Sequence, residues 1–184
     1  MTDLILLAAG ASRRFGAQKL LAEFEGKPLY RYAFDAARTL RNVRVLVVTR
    51  AGLLDKAAAE YGFETVLVPD GFGVGISVAA GARAAREGAN LCFFVCDQPH
   101  MTGEELRRFL EGFARSGKAL GRCHAGECCG SPTVFAPCFR PELMALSGDE
   151  GGRALFHGRE EETYYHDVPK EYLRDYDTPW NQYE

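Results

Sequence analysis

The first strand and loop of the chain read Leu4-Ile5-Leu6-Leu7-Ala8, followed by Ala9-Gly10-Ala11-Ser12-Arg13-Arg14-Phe15-Gly16-Ala17-Gln18-Lys19. The five apolar residues predict a short strand that is buried in a sheet. Small and basic residues follow directly, and loops of this kind present backbone N–H groups and cations to phosphates in α/β proteins. The stretch therefore predicts an α/β fold that binds a triphosphate where its first strand ends.

The chemistry of this loop suits phosphate binding. Ala9-Gly10-Ala11 has almost no side chain, so a polyphosphate can approach the main chain closely. Ser12 offers a hydroxyl donor, Arg13 and Arg14 offer guanidinium groups that fit phosphate oxygens, and a compact charge follows at Lys19. The loop has neither the ending of a Walker A motif nor the glycines of a dinucleotide fingerprint. On composition alone, an ordinary turn with solvated basic residues explains it equally well.

Length and composition are those of one globular domain. The chain has 184 residues, of which 47% are hydrophobic and 26% charged, so we predict a single domain over residues 1–184. The formal net charge of −3 argues against a general binder of nucleic acid or of anionic membranes. No apolar run approaches the roughly 20 residues of a membrane span, and Asp3 leads straight into a strand. We therefore expect no membrane segment, no signal peptide and a cytoplasmic location.

Strand and helix signals alternate along the first two thirds of the chain. This alternation predicts a three-layer α/β/α sandwich with a mainly parallel, Rossmann-like sheet, in which ligands bind beyond the carboxyl ends of the strands. Thr102 and Glu105 form a capping box at the start of one helix. The predicted strands are Leu4–Ala8, Val43–Val48, Glu64–Val68 and Leu91–Cys96, with short candidates at Thr133–Phe135 and Thr163–Tyr165; the predicted helices are Pro28–Leu40, Leu53–Tyr61, Ile76–Glu87 and Thr102–Ser116, with a flexible loop at Gly71–Gly75.

The six cysteines have two interpretations. Cys92 and Cys96 lie in an apolar run and are expected to be small buried side chains. Cys123, Cys128 and Cys129 form a tighter cluster that could hold a soft metal, although the spacing matches no standard zinc pattern. Reduced thiols are the simpler interpretation of this cluster.

Two acidic segments are candidate metal sites. Asp97 follows the fourth predicted strand in the sequence Asp97-Gln98-Pro99, and a carboxylate in that place suits Mg²⁺ bound together with substrate phosphates. The alternative is that Asp97 only caps the following turn. A second pair of carboxylates lies in Asp175-Tyr176-Asp177-Thr178-Pro179, for which a solvated acidic tail is the alternative.

In their order along the chain, these motifs resemble one enzyme family. Leu7-Ala8-Ala9-Gly10-x-Ser12-x-Arg14-x-Gly16-x-x-Lys19, together with the two acidic segments, resembles the nucleotidyltransferases related to the molybdenum cofactor enzymes. The Leu-Ala-Ala-Gly form looks like the CTP-using members, the molybdenum cofactor cytidylyltransferases, whereas guanylyl-transferring members usually carry Leu-Ala-Gly-Gly. The resemblance runs from Leu7 to Pro179 and implies the nucleotide-diphospho-sugar transferase type of fold. Gln18 is a departure, because family members often have a proline there.

The resemblance also implies a role for each motif. Arg14, Lys19 and Asp97 would be the catalytic groups, and Asp97 and Asp177 would hold Mg²⁺. The implied nucleotide-binding residues are Leu7, Ala8, Ala9, Gly10, Ser12, Arg14, Lys19, Gly73 and Ser77, and the implied acceptor-binding residues are Gly130, Pro132, Gly148, Asp149 and Arg153.

The implied reaction is transfer of CMP from CTP to the phosphate of a molybdopterin cofactor, with release of pyrophosphate. The implied partners are these two small molecules and a molybdoenzyme that receives the product. Three alternatives stay open at this point. GTP could replace CTP, another phosphorylated acceptor such as a sugar phosphate or methylerythritol phosphate could replace the cofactor, or the protein could be a carrier or chaperone that catalyses no transfer.

Overall fold

A seven-stranded sheet organises the chain. The structure is a computed structural model that describes residues 1–12, 15–71 and 73–176. The strands are β1 (Thr2–Leu7), β2 (Glu23–Phe24), β3 (Lys27–Pro28), β4 (Arg44–Thr49), β5 (Glu64–Leu67), β6 (Asn90–Val95), β7 (Leu120–Ala125), β8 (Cys128–Phe135) and β9 (Thr163–Asp167). β2 and β3 form a separate two-stranded hairpin, and the other seven strands form the sheet.

The order of the strands places a switch point beside β1. The sheet runs β5-β4-β1-β6-β8-β7-β9. β1 pairs in parallel with both β4 and β6, whereas β8 runs antiparallel to both β6 and β7. The chain therefore moves from β1 outwards to β4 and β5, and then returns to β6 on the other side of β1. In such sheets ligands bind at the carboxyl ends of the strands where the order reverses, which here is between β1 and β6.

Helices cover both faces of the sheet and confirm the predicted three-layer architecture. Successive side chains of β1 point to opposite faces, so Leu4 and Leu6 pack in one core with Phe34, while Ile5 packs in the other with Val78. Leu4, Ile5 and Leu6 are all 0% exposed. The helices are α1 (Tyr30–Arg38), α2 (Asp55–Glu60), α3 (Gly73–Ala84), α4 (Gly103–Ser116) and α5 (Arg140–Ala145).

The predicted start of α4 is confirmed in detail. The backbone N–H of Glu105 donates to the hydroxyl of Thr102 over 3.2 Å, which satisfies one of the free donors of the first turn. The helix ends at Gly117, whose φ of +67° is the left-handed conformation that glycine adopts without strain.

Three local predictions were wrong. α1 begins at Tyr30, because Pro28 pairs in the small hairpin rather than entering the helix. The stretch Gly71–Gly75 was predicted to be a flexible loop, but α3 already begins at Gly73. β7 escaped prediction because it carries Gly121 and Arg122 in place of a β-branched run.

No helix in residues 1–12, 15–71 and 73–176 is both long and apolar enough to cross a membrane. The sheet and its covering helices lie within residues 2–167, and the extent of the domain over residues 1–184 stays a prediction.

Gly81 lets α3 pack closely on β1, and this contact can be tested. A Cβ at Gly81 would lie 2.5 Å from Cγ2 of Ile5 and 3.3 Å from Cγ2 of Val48. Both neighbours are fully buried, so they cannot move aside without disturbing the core. We expect Gly81→Ala to lower the free energy of unfolding by about 1–3 kcal/mol, although alanine is the better helix former. Urea unfolding measures this, with Gly10→Ala as the control, because a Cβ at Gly10 would meet nothing within 4 Å. Equal stability of the two variants would contradict the packing.

Candidate active site

A cleft of about 500 Å³ opens at the switch point of the sheet. Leu7 is the last residue of β1 and pairs with Val95, the last residue of β6, so the loops after both strands leave the same edge side by side. The cleft is lined by the ends of β1 and β6, by the loops that follow them, by α3 and the segment before it, and by one residue of a distant loop. The lining residues are Leu7, Ala9, Gly10, Ala11, Ser12, Phe15, Lys19, Leu20, Pro69, Gly71, Gly73, Val74, Ile76, Ser77, Val95, Cys96, Asp97 and Asp149. We call it the first cleft.

A buried ion pair joins the two loops within the first cleft. Nζ of Lys19 lies 2.7 Å from Oδ2 of Asp97. Lys19 is only 8% exposed as a residue, and the side chain of Asp97 is 22% exposed. Removing one partner would leave the other charge without its counter-ion in a poorly solvated place. The pair therefore fixes a cation and a carboxylate side by side before any substrate arrives.

Ser12 closes the loop that brings Lys19 back to the sheet. Its hydroxyl donates to Oε1 of Gln18 over 3.0 Å and accepts the backbone N–H of Lys19 over 3.1 Å. Its carbonyl accepts the N–H of Phe15 over 3.0 Å. The hydroxyl of Ser12, predicted as a donor to phosphate, thus stabilises the loop through these hydrogen bonds. One partner is the side chain of Gln18, the residue that departs from the family pattern.

Glycines at the start of α3 allow close contact with a distant loop. A Cβ at Gly73 would lie 2.2 Å from the carbonyl oxygen of Gly148, and one at Gly75 would lie 2.5 Å from that of Ser147. The N–H of Gly75 donates to the same Gly148 carbonyl over 2.9 Å. Because glycine leaves room for this contact, α3 can begin among the glycines. The contact also places Asp149 at the edge of the first cleft.

A second cleft of about 450 Å³ adjoins the first and shares Leu7, Val74 and Val95 with it. Its walls come from β6, β7, β8 and the loop before the 3-10 helix Gly152–Phe156. The lining residues are Leu7, Val74, Val78, Phe93, Val95, Gln98, Arg122, Cys129, Gly130, Ser131, Thr133, Phe135, Gly151, Gly152, Arg153, Phe156, Leu173 and Asp175.

Gln98 is the buried polar residue of the second cleft. It is 3% exposed, and its Nε2 donates to Oδ1 of Asp175 over 3.0 Å. Its Oε1 is buried, and no partner for it lies within the described ranges of the chain. A buried acceptor without a donor is unfavourable, so this oxygen is suited to an N–H or O–H group of a ligand.

The structure brings together most of the residues that the sequence indicated. Within the first cleft lie Leu7, Ala9, Gly10, Ser12, Lys19, Gly73, Ser77 and Asp97, and within the second lie Gly130 and Arg153. Asp149 lines the first cleft, not the second, so its place on the acceptor side stays a prediction.

Three of the indicated residues line neither cleft as described. Ala8 is 1% exposed, and its N–H donates to the carbonyl of Val48 over 2.8 Å, which continues the pairing of β1 with β4. Gly148 supplies its carbonyl to α3. Pro132 lies within β8, beside Ser131, whose Oγ accepts the N–H of Val95 over 3.1 Å. Ala8 and Gly148 thus support the walls of the clefts through their backbone hydrogen bonds.

Arg13, Arg14 and Asp177 lie outside the described residues. Their predicted roles, phosphate binding for the arginines and metal binding for Asp177, stay predictions.

Sequence analysis missed two polar residues of the second cleft. Gln98 belongs to the Asp97-Gln98-Pro99 segment, and the amide directly after Asp97 could have indicated a binding role. Arg122 lies in β7, which was not predicted because the sequence there is irregular. The sequence therefore did not indicate that Arg122 lines a cleft.

The described residues fit a magnesium ion that is shared with substrate. Mg²⁺ is commonly held by one or two carboxylates together with substrate phosphates, and Asp97 supplies hard oxygen ligands at the edge of the first cleft. Across residues 1–12, 15–71 and 73–176, no three side chains of the ligating types gather around one point. No such group therefore includes Cys123, Cys128 or Cys129 within those residues, and the choice between reduced thiols and a soft metal stays a prediction.

The cysteines are free thiols. Burial raises the pKa of the Cys92, Cys96 and Cys123 thiols well above the usual range. Cys129 is half-buried and lines the second cleft, and Cys138 is exposed.

Comparison with known proteins agrees with this architecture. The model of a family described as the MobA-like NTP transferase domain matches residues 4–164. A probable molybdenum cofactor guanylyltransferase of Pyrococcus horikoshii is 36% identical over 62 residues, which cover 34% of this chain and 32% of that protein. The chain thus matches about a third of that relative's length. The purine catabolism protein PucB of Bacillus subtilis is 31% identical over 169 residues, which cover 82% of this chain and 78% of that protein.

Solved structures share the fold. The crystal structure of Rv0371c from Mycobacterium tuberculosis has a TM-score of 0.82 and 23% identity, over 100% of this chain and 96% of that one. Rv0371c in complex with manganese has a TM-score of 0.77 and 22% identity, over 99% and 95%. The family match spans most of the sheet, including β1, β6 and both loops of the first cleft. The chain belongs to the family described as the MobA-like NTP transferase domain.

Proposed function

We propose that the protein transfers CMP from CTP to the phosphate of a molybdopterin cofactor, with Mg²⁺ as its metal. The observation that carries this proposal is the Lys19–Asp97 pair, which lies at the switch point in the first cleft, next to a second cleft. A transferase needs two such compartments, one for the nucleotide and one for the acceptor, with charge stabilisation where they meet. A molybdopterin acceptor and a molybdoenzyme that receives the product are inferred from the motifs and from the names of the relatives.

The reaction requires little of the protein beyond positioning the substrates and stabilising charge. The acceptor phosphate is already an anion, so its oxygen can attack the α-phosphorus without a protein base. The new O–P bond forms as the bond to the β-phosphate oxygen breaks, and pyrophosphate leaves. The ammonium of Lys19 stabilises negative charge that develops on the phosphates, and the small loop around Gly10 lets them approach the main chain. Asp97, with Asp177, would hold Mg²⁺, which when bound neutralises phosphate charge.

The choice of base has two candidates. CTP is favoured by the Leu7-Ala8-Ala9-Gly10 form of the loop, in which the Ala9 methyl group lines the first cleft. GTP is favoured by the relatives named as probable molybdenum cofactor guanylyltransferases, one from P. horikoshii and one from Bacillus licheniformis that is 33% identical over 105 residues. We retain CTP in the proposal, because the loop that would contact the nucleotide has the form that resembles the CTP-using members of the family.

Pyrophosphate release tests the proposal directly. The assay contains Mg²⁺ and each of the four nucleoside triphosphates, with and without molybdenum cofactor released from a molybdoenzyme. We expect release with CTP that depends on the cofactor. Cofactor-dependent release with GTP alone would overturn the base assignment but retain the acceptor. Binding of a nucleotide without release under any condition would overturn the acceptor.

Removal of the Lys19 cation should abolish most turnover. We expect Lys19→Ala to lower kcat by about a hundredfold or more, as is typical when one preorganised electrostatic group is lost. The matched control is Lys27→Ala, because Nζ of Lys27 also pairs with an aspartate, lying 2.5 Å from Oδ2 of Asp35, but outside both clefts. Steady-state kinetics on folded protein compares the two. A kcat for Lys19→Ala within a few-fold of the parent would remove Lys19 from the reaction.

Ala9 should influence which base is accepted. If its methyl group limits the space for a purine, Ala9→Gly should raise the ratio of GTP to CTP efficiency by about tenfold, the effect typical of one methyl group in a pocket. Ala11→Gly is the control, because Ala11 lines the same cleft and loses the same group. Competition between the two nucleotides in one assay gives the ratio of kcat/KM values. The same ratio in Ala9→Gly and Ala11→Gly would show that Ala9 does not select the base.

A further inference from the structure

Arg122 differs from the other half-buried arginines of the described chain. The half-buried arginines, Arg122 included, are Arg44, Arg50, Arg86, Arg122, Arg140 and Arg159. Five of them donate hydrogen bonds to a carboxylate or a backbone carbonyl. The guanidinium of Arg122 makes no hydrogen bond or ion pair with any residue in the described ranges, and its Nε is buried. A half-buried cation without a partner is unfavourable, so Arg122 is prepared for a ligand.

The ring of Phe156 holds this guanidinium in place. Cζ of Arg122 lies 4.7 Å from the ring centroid, and both residues line the second cleft. Stacking on an aromatic face restricts the plane of the guanidinium, and its parallel N–H groups form a rigid fork for two acceptors side by side. The fork therefore presents a fixed pattern of donors to the cleft.

Strand register places Arg122 far from Asp97. Arg122 pairs with Thr133 of β8, which pairs in turn with Phe93 of β6. Two strand spacings separate Arg122 from Phe93, and Asp97 lies four residues further along the chain, so the two Cα atoms are roughly 15 Å apart. An acceptor that contacts Arg122 while its phosphate reacts beside Asp97 would therefore extend between the two residues, with another of its parts near Arg122.

We propose that Arg122 binds a planar, hydrogen-bond-accepting edge of the acceptor's ring system, at the end away from the reacting phosphate. This inference rests on the proposed function and specifies how the acceptor is oriented. The same cleft holds the buried Oε1 of Gln98, which can accept from an N–H of that ring. A cationic fork and an amide oxygen together suit a heterocycle that carries both a carbonyl-and-nitrogen edge and N–H groups, as a pterin does.

Kinetics of two Arg122 variants tests this role. Arg122→Gln should raise KM for molybdenum cofactor by about 10–100-fold, the usual effect of losing a charge-assisted contact, with KM for the nucleotide and kcat within about twofold. Arg122→Lys keeps the charge but lacks the fork, so it should also raise that KM, by about tenfold. The matched control is Arg159→Gln, because Arg159 stacks on Phe139 at 5.2 Å but lines neither cleft. If both Arg122 variants keep the parent KM for the cofactor, Arg122 has no role in binding it. If Arg122→Lys alone keeps it, the recognised group is an anion, and the planar edge is wrong.

A second readout separates this inference from the proposed function. Cys129 lines the second cleft, whereas Cys138 is exposed outside both clefts, so their alkylation by iodoacetamide can be compared by mass spectrometry. We expect molybdenum cofactor to slow alkylation of Cys129 but not of Cys138, and to do so in the parent but not in Arg122→Gln. If protection follows this pattern while no nucleotide releases pyrophosphate, the proposed transfer fails and the Arg122 site stands. If pyrophosphate is released and protection is equal in both proteins, the transfer stands and the Arg122 site fails.

Discussion

The burial of β1 between two parallel partners is the constraint on which the site depends. Leu4, Ile5 and Leu6 are fully buried, with side chains in both cores and backbone pairing on both sides. A shift of register would break the backbone pairing on both sides and would mismatch side chains that are closely packed in both cores. The position of Leu7 at the switch point is therefore fixed by the core, and so is the place where the loop after β1 begins.

The Lys19–Asp97 pair joins the loop after β1 to the loop after β6. The loop leaves the sheet after β1 and returns at Lys19, whose ammonium reaches the carboxylate that follows β6. A buried pair of this kind contributes little net stability, because desolvation opposes the attraction. Its value lies in position, because it places a cation and a carboxylate side by side where the loops after β1 and β6 leave the sheet. Ser12 and Gln18 hold the loop in the shape that makes the pair possible.

Sequence predicted those parts of the site that are encoded locally. β1, β4 and β6 were recognisable because buried parallel strands are continuous apolar runs, and the first loop and Asp97 follow directly from them. The helical start at Gly73 was missed because glycine normally weakens a helix, and the contact with Gly148 that requires glycine there lies some 75 residues away. Arg122 was missed for the same reason, since its neighbour Phe156 is distant in sequence.

The two clefts differ in how they are built, and this bears on how specificity is divided. The first is formed mainly by loops that follow strands, where close backbone contacts at Gly73 and Gly75 leave little freedom for substitution. The second has walls of side chains from β7 and β8, so a single substitution such as one at Arg122 can alter its chemistry without moving the backbone. Since the clefts have only Leu7, Val74 and Val95 in common among the described residues, most substitutions in one cleft leave the lining of the other unchanged. Under the proposed function, the sheet that joins the clefts would hold the nucleotide and the acceptor in a fixed relation while each cleft selects one of them.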